Sequence, residues 1–125
     1  MLNGAPILVA EDQTYIALDL ALAIEDAGGE VVGPAASVAE ALDLLATVNI
    51  AAAILDVDLV DGDCSAVVEA LANRRIPTIV QTGVAVAPAL PALFPDLIIH
   101  IKPYVASKLV AQLETMIGRG GPGCV

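Results

Sequence analysis

Short apolar runs that stop abruptly on polar side chains constrain this chain more than any other feature. Ile7-Leu8-Val9-Ala10 ends in Glu11-Asp12, and Ala51 to Leu55 ends in Asp56. Thr78-Ile79-Val80 runs into Gln81-Thr82-Gly83, and Leu97 to Ile101 gives way to Lys102-Pro103. Runs of this length fit strands better than helices. They are nearly all apolar rather than alternating, as expected of strands covered on both faces of a sheet. Glu30-Val31-Val32-Gly33 predicts a further short strand, ended by Pro34.

Between the runs the spacing turns helical. Ile16, Leu20, Ile24 and Ala27 recur at helical intervals, and Gly28-Gly29 stops that helix. Ser37-Val38-Ala39-Glu40 is a capping box, opening a helix with Val38, Leu42 and Leu45 inward. A loop, Val57 to Asp63, is expected to lead into a third helix near Ser65 to Asn73. A fourth, within residues 86 to 94, would be shortened or broken by Pro88 and Pro91. The last is expected over Val105 to Ile117, with Leu109, Leu113, Met116 and Ile117 on one side. Strand–helix alternation of this kind calls for a parallel sheet with right-handed crossovers. One domain over residues 5–118 is expected, followed by a flexible, glycine-rich tail at 119–125.

Composition narrows the function. The chain carries 5 Lys+Arg against 15 Asp+Glu, a formal net charge of -10. Displacing counterions from nucleic-acid phosphates, or binding an anionic membrane, needs the opposite sign. Tyr15, Phe94 and Tyr104 are the only aromatic residues, which leaves no platform for stacking bases. Cys64 and Cys124 form neither a disulfide framework nor a zinc site and read as free thiols in a reducing compartment. The uncharged stretch Ile76 to Pro95 holds four prolines and is better explained by a buried strand and loop than by a membrane span. Met1 to Ala10 lacks a basic segment, so no secretory signal and a cytoplasmic location are expected.

In a parallel sheet the polar residues that end the runs collect at one edge, where open α/β sheets bind ligands. Adjacent strands lie about 4.8 Å apart, so Glu11, Asp12, Asp56, Thr82 and Lys102 can converge. Two like charges about 4 Å apart repel by roughly 4 kcal/mol at an effective dielectric of 20. A hard divalent cation offsets this, and magnesium takes one or two carboxylates and keeps waters. Carboxylate, magnesium, amine and hydroxyl together suffice to accept a phosphoryl group. Taken singly, these residues have plainer readings. Glu11-Asp12 also suits a helix N-terminus, and Asp61-Gly62 reads first as turn chemistry. Asp63 reads as a solvated or capping residue, and His100 as a packed or surface histidine.

The acid pair Glu11-Asp12, Asp56 in Leu55-Asp56-Val57-Asp58-Leu59, Thr82-Gly83 and Lys102-Pro103-Tyr104 resemble, in order, the receiver domain of two-component response regulators. The likeness to this CheY-like superfamily spans residues 5 to 118. It implies a flavodoxin-like, doubly wound (βα)5 fold, with a five-stranded parallel sheet in the order 2-1-3-4-5. It implies Asp56 as phosphoacceptor. Glu11, Asp12, Asp56 and the backbone carbonyl of Asp58 would hold Mg2+, with Thr82 and Lys102 meeting the phosphoryl group and a cis Lys102-Pro103 bond. The implied partners are a histidine kinase or histidine phosphotransfer protein and a downstream protein target, with the chain a monomer or weak homodimer and not an enzyme in its own right.

Departures concern output more than chemistry. Ile99 stands where many receivers carry a switch aromatic, so no aromatic relay from Thr82 is expected. Val80 to Ala85 resembles a degenerate Phe-Ala-Thr-Gly-X-Tyr motif of stand-alone receivers that has lost both aromatics, and Val60 stands where many receivers have proline. Two alternatives follow: a phosphorylation-independent interaction module, and a phosphatase of haloacid-dehalogenase type reading Asp56-Val57-Asp58 as its nucleophile motif.

Overall fold

The computed structural model describes residues 2–83, 94, 97–101 and 105–118. In chain order the elements are β1 (Pro6–Ala10), α1 (Thr14–Asp26), β2 (Glu30–Ala35), α2 (Val38–Thr47), β3 (Ala52–Asp56), β4 (Asp58–Leu59), β5 (Gly62–Asp63), α3 (Ser65–Asn73), β6 (Thr78–Thr82), β7 (Ile98–Ile101) and α4 (Ala106–Gly118). Five strands form one sheet in the order β2-β1-β3-β6-β7, and every neighbouring pair is parallel. This is the flavodoxin-like order expected from the sequence. The order reverses between β1 and β3, which opens a crevice at their carboxyl ends.

Alternation within the apolar strands builds two cores. Ile7 and Val9 of β1, Ala52 and Ile54 of β3, and Ile79 of β6 pack with Leu20 and Ile24 of α1 and Leu109, Val110 and Leu113 of α4. Leu8, Ala10, Ala53, Leu55 and Val80 face the other way, against Ala41 and Leu45 of α2 and Val67, Val68 and Leu71 of α3. Each fully buried Leu or Ile contributes about 1.5–3 kcal/mol relative to exposure, so a one-residue slip of either central strand would forfeit both faces at once.

Helix ends follow the sequence signals. The Gly29 N–H donates to the Ile24 carbonyl and the Gly28 N–H to that of Glu25, with Gly28 at φ +84°, which closes α1 in a Schellman motif. At α2 the Ser37 hydroxyl accepts from the Glu40 N–H at 3.1 Å, the N-cap half of the capping box, and the same hydroxyl lies 3.4 Å from the Glu40 carboxylate, to which it donates.

Two local expectations are corrected. Strand β2 does not end before Pro34 but continues through it to Ala35. Proline is tolerated there because β2 is the edge strand and needs no N–H on its outer side. The pairing steps from Leu8 with Val32 to Ala10 with Ala35, so β2 carries one extra residue, a bulge at Gly33-Pro34. Gly33 adopts φ +97°, and a Cβ there would lie 2.7 Å from the Ala35 nitrogen. The second correction is the segment after Asp56. It is not a plain loop but contains a small antiparallel hairpin, in which Asp58 pairs with Asp63 and Leu59 with Gly62. The helix expected within residues 86 to 94 lies, apart from Phe94, outside the described residues, as does the tail at 119–125.

Candidate functional site

The crevice is lined from β1 and β3. Glu11 follows β1 directly, and its N–H donates to the Ala35 carbonyl at the end of β2. Asp56 is the last residue of β3. Glu11 and Asp56 are buried, at 2% and 6% exposure, whereas Asp12 is exposed. One carboxylate oxygen from each of Glu11, Asp12 and Asp56 lies within 4.8 Å of the others. Residues 45 positions apart in sequence thus form one anionic cluster because β1 and β3 are neighbours with Ala10 opposite Leu55.

Gln13 and Gln81 both donate to Glu11. The Gln13 N–H donates to its Oε2 at 3.1 Å, and Gln81 Nε2 donates to its Oε1 at 3.2 Å. Gln81 is itself buried, at 2% exposure, and sits opposite Asp56 in the β3–β6 register. No motif in the sequence marks Gln81 as a functional residue. The available signal was a long polar side chain inside an otherwise apolar strand, which buries at a cost unless it finds a partner. Thr82 ends β6, next to Gln81, at 1% exposure.

The segment after Asp56 is fastened at its base and at its tip. At the base, the Val57 N–H donates to the Gln81 carbonyl at 3.0 Å and the Cys64 N–H to the Val57 carbonyl at 2.8 Å. The Asp58 N–H lies 3.4 Å from Asp56 Oδ1. At the tip, the Val60 N–H donates to the Ala36 carbonyl at 3.2 Å, a bond a proline at this position could not make. The Asp61 carboxylate reaches the first turn of α2, accepting from the Val38 N–H at 2.7 Å and the Ala39 N–H at 3.2 Å. Asp61 is therefore more than a turn residue: it caps a helix 22 and 23 positions earlier in the chain. These bonds, the Val38 one foremost, hold its carboxyl below the usual carboxylate range. Asp63 behaves as a cap, as expected, accepting from the Ser65 N–H at 2.9 Å at the start of α3. That bond likewise lowers its pKa.

Cys64 lies buried at the start of α3. Burial first, and the nearby Asp63, Asp56 and Asp58 charges after it, push its thiol up to about 12. His100 is a packed residue, with Nε2 2.6 Å from Gln112 Oε1 on α4. Lys102, its bond to Pro103, and Tyr104 lie outside the described residues.

No protein-family model matches the sequence, and no curated protein does. Solved structures do match. SdrG from Sphingomonas melonis Fr1 is 34% identical, with 94% of this chain and 98% of that one covered at a TM-score of 0.75. The CheY-like response regulator receiver domain protein from Methanospirillum hungatei JF-1 is 23% identical, covering 92% and 94% of the two chains at a TM-score of 0.80. The chain belongs to the CheY-like response regulator receiver domains. A third receiver, from a sensor histidine kinase of Pseudomonas aeruginosa PAO1, is 21% identical, covers 92% and 98%, and superposes with a TM-score of 0.77. That receiver has a magnesium ion coordinated in its active site cleft.

The receiver described here offers hard oxygen donors from Glu11, Asp12 and Asp56. Carboxylate oxygens within 4.8 Å of one another, two of them buried, suit a small divalent cation better than a soft or monovalent one. Among the described residues no helix is long and apolar enough to cross a membrane.

Proposed function

We propose that this receiver accepts a phosphoryl group on Asp56 from the phosphohistidine of a histidine kinase or phosphotransfer protein, with Mg2+, and signals by binding a downstream protein. The observation that carries this reading is the meeting of Glu11, Asp12 and Asp56 within 4.8 Å, with Asp56 at the end of the central strand β3. An Asp56 carboxylate oxygen attacks phosphorus, the P–N bond to the donor imidazole breaks, and its electron pair stays on the imidazole. Glu11, Asp12, Asp56 and the Asp58 backbone carbonyl would hold the metal, which supplies charge neutralisation of the carboxylates and the phosphoryl oxygens. Gln81 holds Glu11 in place through the 3.2 Å bond. Thr82, one residue further along β6, would donate its hydroxyl to a phosphoryl oxygen, and Lys102 would pair with the transferred group.

Docking of a protein donor is supported by an apolar stripe beside the site. Tyr15 is 88% exposed, and Leu18 and Leu22 follow it at half exposure on α1, which begins two residues after Asp12. Scattered exposed apolar side chains are ordinary, but a tyrosine and two leucines at helical spacing next to an acid cluster form a contact face. The receiver works in the cytoplasm, and its own chemistry is confined to phosphoryl transfer to Asp56 and hydrolysis from it.

Incubation with acetyl phosphate and Mg2+ tests the proposal. The expected result is a hydroxylamine-sensitive gain of one phosphoryl group on Asp56, absent from Asp56→Asn. An unmodified wild-type protein would overturn it, and sustained turnover of small phosphate esters would point to the phosphatase instead. One observation favours the phosphorylation-independent module: Ile99 packs half-buried in β7, where many receivers carry a switch aromatic. Equal partner affinity for wild type and Asp56→Asn under phosphorylating conditions would establish that module.

A further inference from the structure

The hairpin after Asp56 has an unusual anchorage. Its base is tied to the sheet through Val57, whereas its tip is tied to the β2–α2 connection by the Val60 N–H, at the Ala36 carbonyl, and to the first turn of α2 by the Asp61 carboxylate. Asp61 is exposed, yet its carboxylate accepts two backbone bonds, one of them 2.7 Å. A short carboxylate–amide bond of this kind is among the stronger hydrogen bonds in a protein. Between base and tip lie Asp58, whose N–H is 3.4 Å from Asp56 Oδ1, and Leu59, which is buried. The backbone of Asp58 is therefore strung between two fixed points, the end of β3 and the start of α2.

We propose that Asp61 is a positioning residue for the metal site: by holding the hairpin to the N-terminus of α2, it keeps the Asp58 backbone beside Asp56. The inference rests on the reading above in which the Asp58 carbonyl serves Mg2+. The structure supplies a control on the same helix. Ser37 caps α2 locally, its hydroxyl accepting from the Glu40 N–H of the same helix rather than from the hairpin. Losing Ser37 and losing Asp61 both weaken α2, but only the second loosens the hairpin, leaving the Val60 N–H bond to the Ala36 carbonyl as its remaining tie at the tip.

Calorimetric titration of the full chain with Mg2+ alone separates these effects. Asp61→Ala is expected to weaken Mg2+ binding about tenfold, as removal of a group that orients a metal ligand does. Asp61→Asn keeps a capping oxygen and is expected to stay within about twofold of wild type. Ser37→Ala is expected to lower the melting temperature comparably to Asp61→Ala while leaving Mg2+ affinity within about twofold. Unchanged affinity in Asp61→Ala overturns the inference alone. So does an equal loss in Ser37→Ala, which would trace the effect to helix stability. A wild-type protein that binds no Mg2+ overturns the metal-site reading and this inference with it.

Discussion

Glu11 is the residue on which the pocket turns. Its carboxylate is almost fully enclosed, and a buried carboxylate is tolerable only where donors or cations meet it. Gln81 is one such donor, at 3.2 Å. Gln81→Leu keeps the volume and removes the amide, so Glu11 loses an orienting bond. Mg2+ affinity is expected to fall about tenfold, measured by calorimetry. Cys64 makes a different prediction. Its folded-state pKa of about 12 stands above the ordinary 9.0, because burial disfavours the thiolate. The sign is that of a raised group. Its contribution to stability is complete below pH 9.0 and is lost as the pH climbs towards 12. Denaturant midpoints of wild type are expected to decline across that interval more than those of Cys64→Ala. At neutral pH an alkylating reagent should spare Cys64 in the folded protein and modify it once urea is added, as read by peptide mapping.

At the scale of elements, β1, β3, β6 and β7 are legible because their runs are nearly all apolar and each gives way to polar residues. The helices were legible because their caps are local: Ser37 with Glu40, Gly28 with Gly29. What escaped the sequence was non-local or too short to have a period. The hairpin of β4 and β5 has two residues per strand, below the length at which alternation can be read. The Asp61 cap crosses 22 and 23 positions, and the Glu11–Gln81 bond crosses 70, so neither has a spacing that marks it. Pro34 was read as a stop because proline cannot donate to a ladder, but that rule binds only where the N–H faces a neighbour. The acid cluster itself was foreseeable, since each member sits at a strand end and the topology gathers those ends. The bulge of β2 yields a test of its own. Gly33→Ala places a methyl group against the Ala35 nitrogen in a backbone region that alanine resists. The expected cost is about 1–3 kcal/mol, measured as a drop in the urea midpoint.

Over the whole molecule, a formal charge of -10 makes the folded state repel itself, and the acid cluster concentrates part of that repulsion at one end of the sheet. A ligand that binds only the folded chain stabilises it, by about 2.7 kcal/mol at a hundredfold excess over its dissociation constant. Mg2+ is therefore expected to raise the melting temperature beyond what sodium chloride of equal ionic strength achieves, and Asp12→Asn or Asp56→Asn to shrink that difference. A thermal melt series in the two salts decides it. The same scale brings out what the edge strand does. The outer side of β2 has a proline where an incoming strand would seek a donor, an extra residue that breaks the register, and exposed Glu30 at its start. Lateral addition of a foreign strand is thereby blocked on that flank, which guards this very apolar chain against fibril-like stacking at high concentration.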